Sequence, residues 1–135
     1  MTAREPDELL VAVHLPVITP GVTTATSFHE VSERHGDFAV VAVAAQLTFD
    51  GAICTKAAVA FGGVDDTPVR ISEFETELIG QTLADGVPDA ALNLISNGIN
   101  PCSDQHASAN YRRRVVRTLA NRAVSEAATD ARSGA

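Results

Sequence analysis

The sequence predicts an α+β fold, a single-domain sandwich in which an antiparallel sheet of three to four strands is followed by three helices. Three observations predict it. The chain has 135 residues, enough for one core of ordinary size and short of two. Its first half carries Val-, Ala- and Thr-rich runs broken by turn residues, and its second half carries capped stripes of helical period. Elements in that order pack as one sheet with a face covered by helices.

The first strand is expected in "LLVAVHLP", which alternates apolar and mixed positions and stops at Pro16. "VITPGVTTAT" reads as a connector punctuated by Pro20-Gly21. "TSFHEVSE" is the second strand, with Phe28 as its large apolar residue. The run from Phe38 to Phe49 is rich in Val and Ala, and period alone leaves it open between strand and helix. The Asp50-Gly51 turn and the following "CTKAAVAFGGV" decide for a hairpin, which gives four strands.

After Pro68 the signals become helical. Ser72 and Glu75 have capping-box spacing, Phe74, Leu78 and Ile79 form a stripe, and Gly80 can end the helix. Pro88 suits a first turn, opening a second helix with Ala91, Leu94 and Ile95 on one face and an end near Asn97-Gly98. Ser108 can cap the third. On that helix Tyr111, Val115, Leu119 and Ala123 make an apolar arc, and Arg113, Arg114 and Arg117 lie opposite as a solvated face. Arg112 falls within the arc, where an unpaired guanidinium is costly, so it must meet a buried acid, a ligand or a partner. Asp37 is the acid expected. The domain is bounded as 7–127, with 1–6 an N-terminal extension and 128–135 a frayed tail.

Hydrophobic and charged contents of 45% and 20% belong to an ordinary soluble protein, and no apolar run approaches the length of a membrane span. The start "MTAREPDELL" shows no apolar leader core, so a cytoplasmic chain is expected. A net charge of −7 with scattered acids argues against nucleic acid as a partner. Cys54 and Cys102 stand apart, with no CxxC and no clustered histidines, which predicts reduced thiols and no metal site. Nucleotide-loop, nucleophile-elbow and zinc-protease motifs are absent, and Gly62-Gly63 is more simply a turn than an anion cradle. No catalytic residue is assigned.

One stretch, "SFHEVSERHGDFAVVAVAAQLTF", crowds His29, Glu30, Glu33, Arg34, His35 and Asp37 ahead of an apolar strand. It resembles the F-x-x-V-S-R-R-x-G-D-F-A-x-V-x-V-A-A segment of the FAD-binding medium subunit of the molybdenum hydroxylases, the family of xanthine dehydrogenase and aerobic carbon monoxide dehydrogenase. "DELLVAVHLP" is similar to the segment that opens the C-terminal domain of that subunit. "KAAVAFGGVDDTPVR" and "SDQHASANYRRRVV" match two further blocks, in the family order. The resemblance covers about residues 7 to 124 and implies the CO dehydrogenase flavoprotein C-terminal domain-like fold, an α+β sandwich.

The resemblance also implies that this domain closes over a flavin held by two preceding domains, with Leu10 and His29 at cofactor-contact positions. His29 stands where the family has Lys, and Glu33 where it has the first Arg of S-R-R. Both changes weaken an anion or flavin contact. Arg34, Asp37 and Arg112 are candidates for a ligand or interface role. FAD is therefore expected only within a larger complex and not on the isolated chain.

Three functions follow. The first is a separately encoded or truncated C-terminal domain that forms one flavin wall and docks on FAD-binding, iron–sulfur and molybdopterin subunits of an electron-transfer oxidoreductase. The second is a stand-alone domain binding or transforming another small molecule on its former cofactor face. The third is a structural module forming a homodimer through its open sheet.

Overall fold

The computed structural model describes residues 5–15, 17, 21–34 and 36–133. Seven elements run in the order β1 (Thr23–Ser32), β2 (Ala39–Asp50), β3 (Ile53–Gly62), β4 (Val69–Arg70), α1 (Ser72–Leu78), α2 (Asp89–Asn97) and α3 (Ala109–Ser133). The strands form one antiparallel sheet in the order β1-β2-β3-β4. Strands then helices, in one sandwich, is the predicted class. None of the helices is long and apolar enough to cross a membrane among the described residues.

The long hairpin turns on Gly51, whose φ of +55 supplies the left-handed position a two-residue connection needs. Period-two alternation then sorts the strands. Val41, Val43, Ala45, Leu47 and Phe49 of β2 are buried on one face, with Cys54, Ala57, Val59 and Phe61 of β3 beside them. The helices cover that face. Helix α3 crosses β1 and β2 through Val116, Leu119, Ala120, Ala123, Val124 and Ala127. Its alanines let the helix approach closely enough for Ser27 Oγ to donate to the Ala123 carbonyl at 2.6 Å. Helix α1 lies against β3, where Phe74 meets Phe61 edge to face with ring centroids 5.7 Å apart.

Several boundaries depart from expectation. The strand expected in "LLVAVHLP" does not form: its described residues are irregular and exposed, and among the described residues no strand pairs with them to complete a ladder. The fourth strand is instead β4, two residues that pair with Ala60 and Phe61 and are too short for a periodic signal. Pro16, read as a stop, Pro20, read as marking a connector, and His35 lie outside the described residues.

Ser72 does not cap α1. Ile71 holds the N-cap position without a side-chain bond, and Glu75 turns away to Arg70 and the Val59 N–H. That exchange is favourable, because Glu75 covers part of the outer edge of β3 that two-residue β4 leaves bare. Helix α1 ends at Ile79 and Gly80, the latter at φ +84, as the glycine suggests. Pro88 takes the N-cap of α2, one position ahead of the first turn, and Leu92 replaces the half-buried Leu94 on its buried face. Residues 128–133 continue α3 instead of fraying, since Ala128 and Ala131 extend its buried stripe.

Candidate functional site

The crowded turn between β1 and β2 and the loop ahead of α3 meet at one end of the sandwich. Ser32 Oγ and the Asp37 N–H both donate to the Arg34 carbonyl, at 3.0 and 3.1 Å, and Asp37 Oδ1 accepts the Phe38 N–H at 2.8 Å. Those bonds set the turn's shape, as an Asx residue after glycine does. The α3 loop is tied more tightly. Asp104 Oδ1 accepts the N–H groups of His106 and Ala107, both at 2.9 Å, and the Asp104 N–H returns to the Ala107 carbonyl. Ser103 Oγ accepts from Ala109 N–H, and Ser108 Oγ accepts from Tyr111 N–H, which caps α3 as expected.

Arg112 ties the α3 loop to β2 just past the β1–β2 turn. Its guanidinium is buried, with Nη1 donating to the carbonyls of Val40 and of Gly63, the latter at 3.0 Å. Nη2 donates to Asp104 Oδ2 at 2.7 Å. One side chain therefore links β2, the turn after β3 and the α3 loop. The expected acid was Asp37; the observed one is Asp104, because the α3 loop folds back along the first turn of its own helix and brings its carboxylate nearest. The N–H groups of Ala107 and His106, with the Arg112 cation beside them, hold the Asp104 carboxyl down at about 2.

Gly63 makes this contact possible. It sits at φ +73, and a Cβ there would come within 2.3 Å of the Val40 carbonyl oxygen. The glycine pair is thus a tight turn whose carbonyl faces a cation, and it is not an open anion cradle. Arg112 Nε is buried without a hydrogen-bond partner among the described residues.

The pocket beside Arg112 holds about 270 Å³ and is walled by Glu33, Asp37, Phe38, Asp104 and His106 among others. His106 Nδ1 stands 3.3 Å from Glu33 Oε2, so the acid that departs from S-R-R has a partner across the pocket. Of the sequence candidates, Asp37 and Arg112 share this pocket. Arg34 contributes a backbone carbonyl and leaves its side chain exposed. His29 and Leu10 lie elsewhere: His29 reaches from β1 to Glu126 of α3, and Leu10 is 72% exposed in the segment before β1. Asp104 and His106 were missed as site residues, although an Asp two and three positions before His106 and Ala107 carries the signal of an Asx turn.

The fit to a dinucleotide is poor on this chain alone. At about 270 Å³ the pocket falls just below the size that encloses a drug-sized ligand. Its carboxylates, Glu33, Asp37 and Asp104, would repel a pyrophosphate, and the Arg112 guanidinium in its wall is already bonded to Val40, Gly63 and Asp104. What the residues build is a clamp that holds the turn against the helix.

A sheet covered on one face by helices, with an arginine bolting β2 and the turn after β3 to the loop before α3, defines a small α+β sandwich. Residues 26–127 match the family described as CO dehydrogenase flavoprotein C-terminal domain, and the chain belongs to that family. It is 35% identical over 94% of its length to the 6-hydroxypseudooxynicotine dehydrogenase complex subunit alpha of Paenarthrobacter nicotinovorans, covering 43% of that protein. It is 32% identical over 98% of its length to the carbon monoxide dehydrogenase medium chain of Afipia carboxidovorans, covering 45%. Reconstituted CO dehydrogenase from Oligotropha carboxidovorans superposes with a TM-score of 0.80 at 32% identity, over 96% of this chain and 44% of that one. The chain thus spans less than half the length of these relatives. It is a C-terminal flavoprotein domain of the molybdenum hydroxylase medium-subunit type.

Proposed function

We propose that this chain forms one wall of a flavin site and a docking surface within a cytoplasmic molybdenum hydroxylase, beside FAD-binding, iron–sulfur and molybdopterin partners. The observation that carries the reading is the segment before β1. Leu9, Leu10, Val11, Val13, Leu15 and Val17 are all 70% exposed or more, a run of apolar side chains that the domain's own core does not use. Such a run marks a surface made for a neighbour. Leu10 is the cofactor-side contact within it, and His29 the second, its reach shortened relative to lysine and engaged by Glu126. FAD, when bound, supplies the electron relay; this chain supplies shape and cover. The free thiols of Cys54 and Cys102 suit a reducing compartment.

The test mixes the chain with the FAD-binding portion of a family medium chain that lacks its own C-terminal domain. The expected result is a one-to-one assembly that retains flavin better than the FAD-binding portion alone, with the gain reduced by Leu10→Asp. The chain by itself should purify colourless, because a single wall offers little net affinity after association is accounted for. Stoichiometric flavin on the chain alone, or no assembly, would overturn the proposal.

A further inference from the structure

The arginine-rich face of α3 is not simply solvated. Arg113 Nη1 donates to the carbonyls of Ser96 and Ile99 at 3.0 and 3.2 Å, at the C-terminal end of α2, and this fixes the helix pair at an open groove. The groove holds about 630 Å³ and is lined by Ser96, Asn110, Arg113, Arg114, Arg117 and Asn121 among others, with no carboxylate in its walls. Arg114 rests 5.6 Å from the centre of the Tyr111 ring, which orients the guanidinium without neutralising it. Among the described residues no acid lies within ion-pair distance of Arg114 or Arg117. Asn121 Oδ1 is taken by the Val87 N–H at 2.8 Å, which leaves its amide hydrogens as donors.

Donors therefore converge on a groove in a chain whose net charge is −7. We propose that this groove binds an acidic peptide segment of a partner protein. Charge complementarity names the sign of the occupant, and the groove's length names its form. From Asn110 to Asn121 the helix rises about 16 Å, a span that roughly five extended residues would follow and a single phosphate would not fill. Nucleic acid is disfavoured by the charge of the rest of the surface. The proposal is independent of the flavin reading, since neither Leu10, His29 nor the segment before β1 lines this groove on the α2–α3 side.

The probe is fluorescein-labelled hexaglutamate, followed by anisotropy with the full chain at roughly 20 mM salt, where screening is weak. Saturable binding is expected, with hexalysine inert. Arg114→Ala/Arg117→Ala should weaken it about two- to thirty-fold, as for two exposed charge pairs, while Arg122→Ala leaves it unchanged. Circular dichroism confirms that the variants fold, and Arg114→Gln/Arg117→Gln repeats the test with the stems retained. Equal affinity in the double variants would overturn the proposal. So would tighter binding of tripolyphosphate or single-stranded oligonucleotide than of the peptide, which would assign the groove to a compact polyanion or to nucleic acid.

Discussion

Replacing Arg112 by alanine should destabilise the domain far more than replacing any exposed arginine of the same helix. The guanidinium is only 6% exposed and gives hydrogen bonds to the carbonyls of Val40 and Gly63. Removing it leaves two inward-facing carbonyls short of a donor, at about 1–3 kcal/mol each. The buried, unpartnered Nε is a cost the native protein already carries, and its removal returns about 1 kcal/mol. The net loss is then about 1–5 kcal/mol, or roughly 3–25 °C in Tm for a domain of this size. Arg122→Ala, at an exposed position of α3, should stay within about 0.5 kcal/mol. Urea unfolding read by circular dichroism measures both. Arg112→Lys is the sharper variant, because one ammonium cannot span three acceptors arranged for a planar fork. It should lose most of what alanine loses. Equal, small shifts for Arg112→Ala and Arg122→Ala, or a lysine variant as stable as the parent, would refute the clamp.

Three other outcomes follow from the same geometry. Gly63→Ala should fail to accumulate as folded protein, because its Cβ would strike the Val40 carbonyl at a left-handed φ; Gly51→Ala, with open space around it, should cost about 1 kcal/mol by urea titration. Asp104 has a folded pKa of about 2, below its ordinary 3.8, so its contribution is present above pH 4 and lost as pH falls through 2. Asp104→Asn should therefore be less stable than the parent at neutral pH, and the gap should close over that acid window in a pH series of thermal melts. Glu75→Ala should cost about 1–3 kcal/mol, since the N–H of fully buried Val59 would lose its acceptor at the sheet edge; Arg70→Ala, which spares that bond, should cost less.

The fold was legible where a side chain's local neighbours decide its conformation. The Asp50-Gly51 turn gave the hairpin, Ser108 gave the start of α3, and the order of elements gave the class. It was not legible where a partner outside the segment decides. "LLVAVHLP" has the pattern of a strand, but a strand needs a second edge, and no local rule reveals whether the domain provides one. Ser72 and Glu75 have the spacing of a capping box, yet Arg70 and the Val59 N–H outbid the helix end for the carboxylate. The α3 stripe Tyr111, Val115, Leu119 and Ala123 holds only in part: Leu119 and Ala123 are buried, but Val116 is buried where Val115 is half-buried and Tyr111 is exposed, because the helix turns the face centred on Arg112 toward the sheet.

The site shows the same division, and it explains the residues that departed from the family pattern. Glu33, read alone, strips positive charge from the turn. With the α3 loop in place it faces His106 at 3.3 Å, at a position the S-D-x-x-A-S pattern leaves open. His29, read alone, is a shortened lysine, and in the fold it meets Glu126. In both cases a substituted residue finds its partner on α3 or its entry loop, more than 70 positions away in the chain. If these pairs are mutual adjustments, their energies must couple. Glu33→Gln and His106→Gln together should then destabilise by less than the sum of the single changes, with a shortfall under about 1 kcal/mol for so exposed a pair. Additive losses in that double-mutant cycle would mean that Glu33 and His106 are neighbours without being partners, and the charge reversal at position 33 would need another cause.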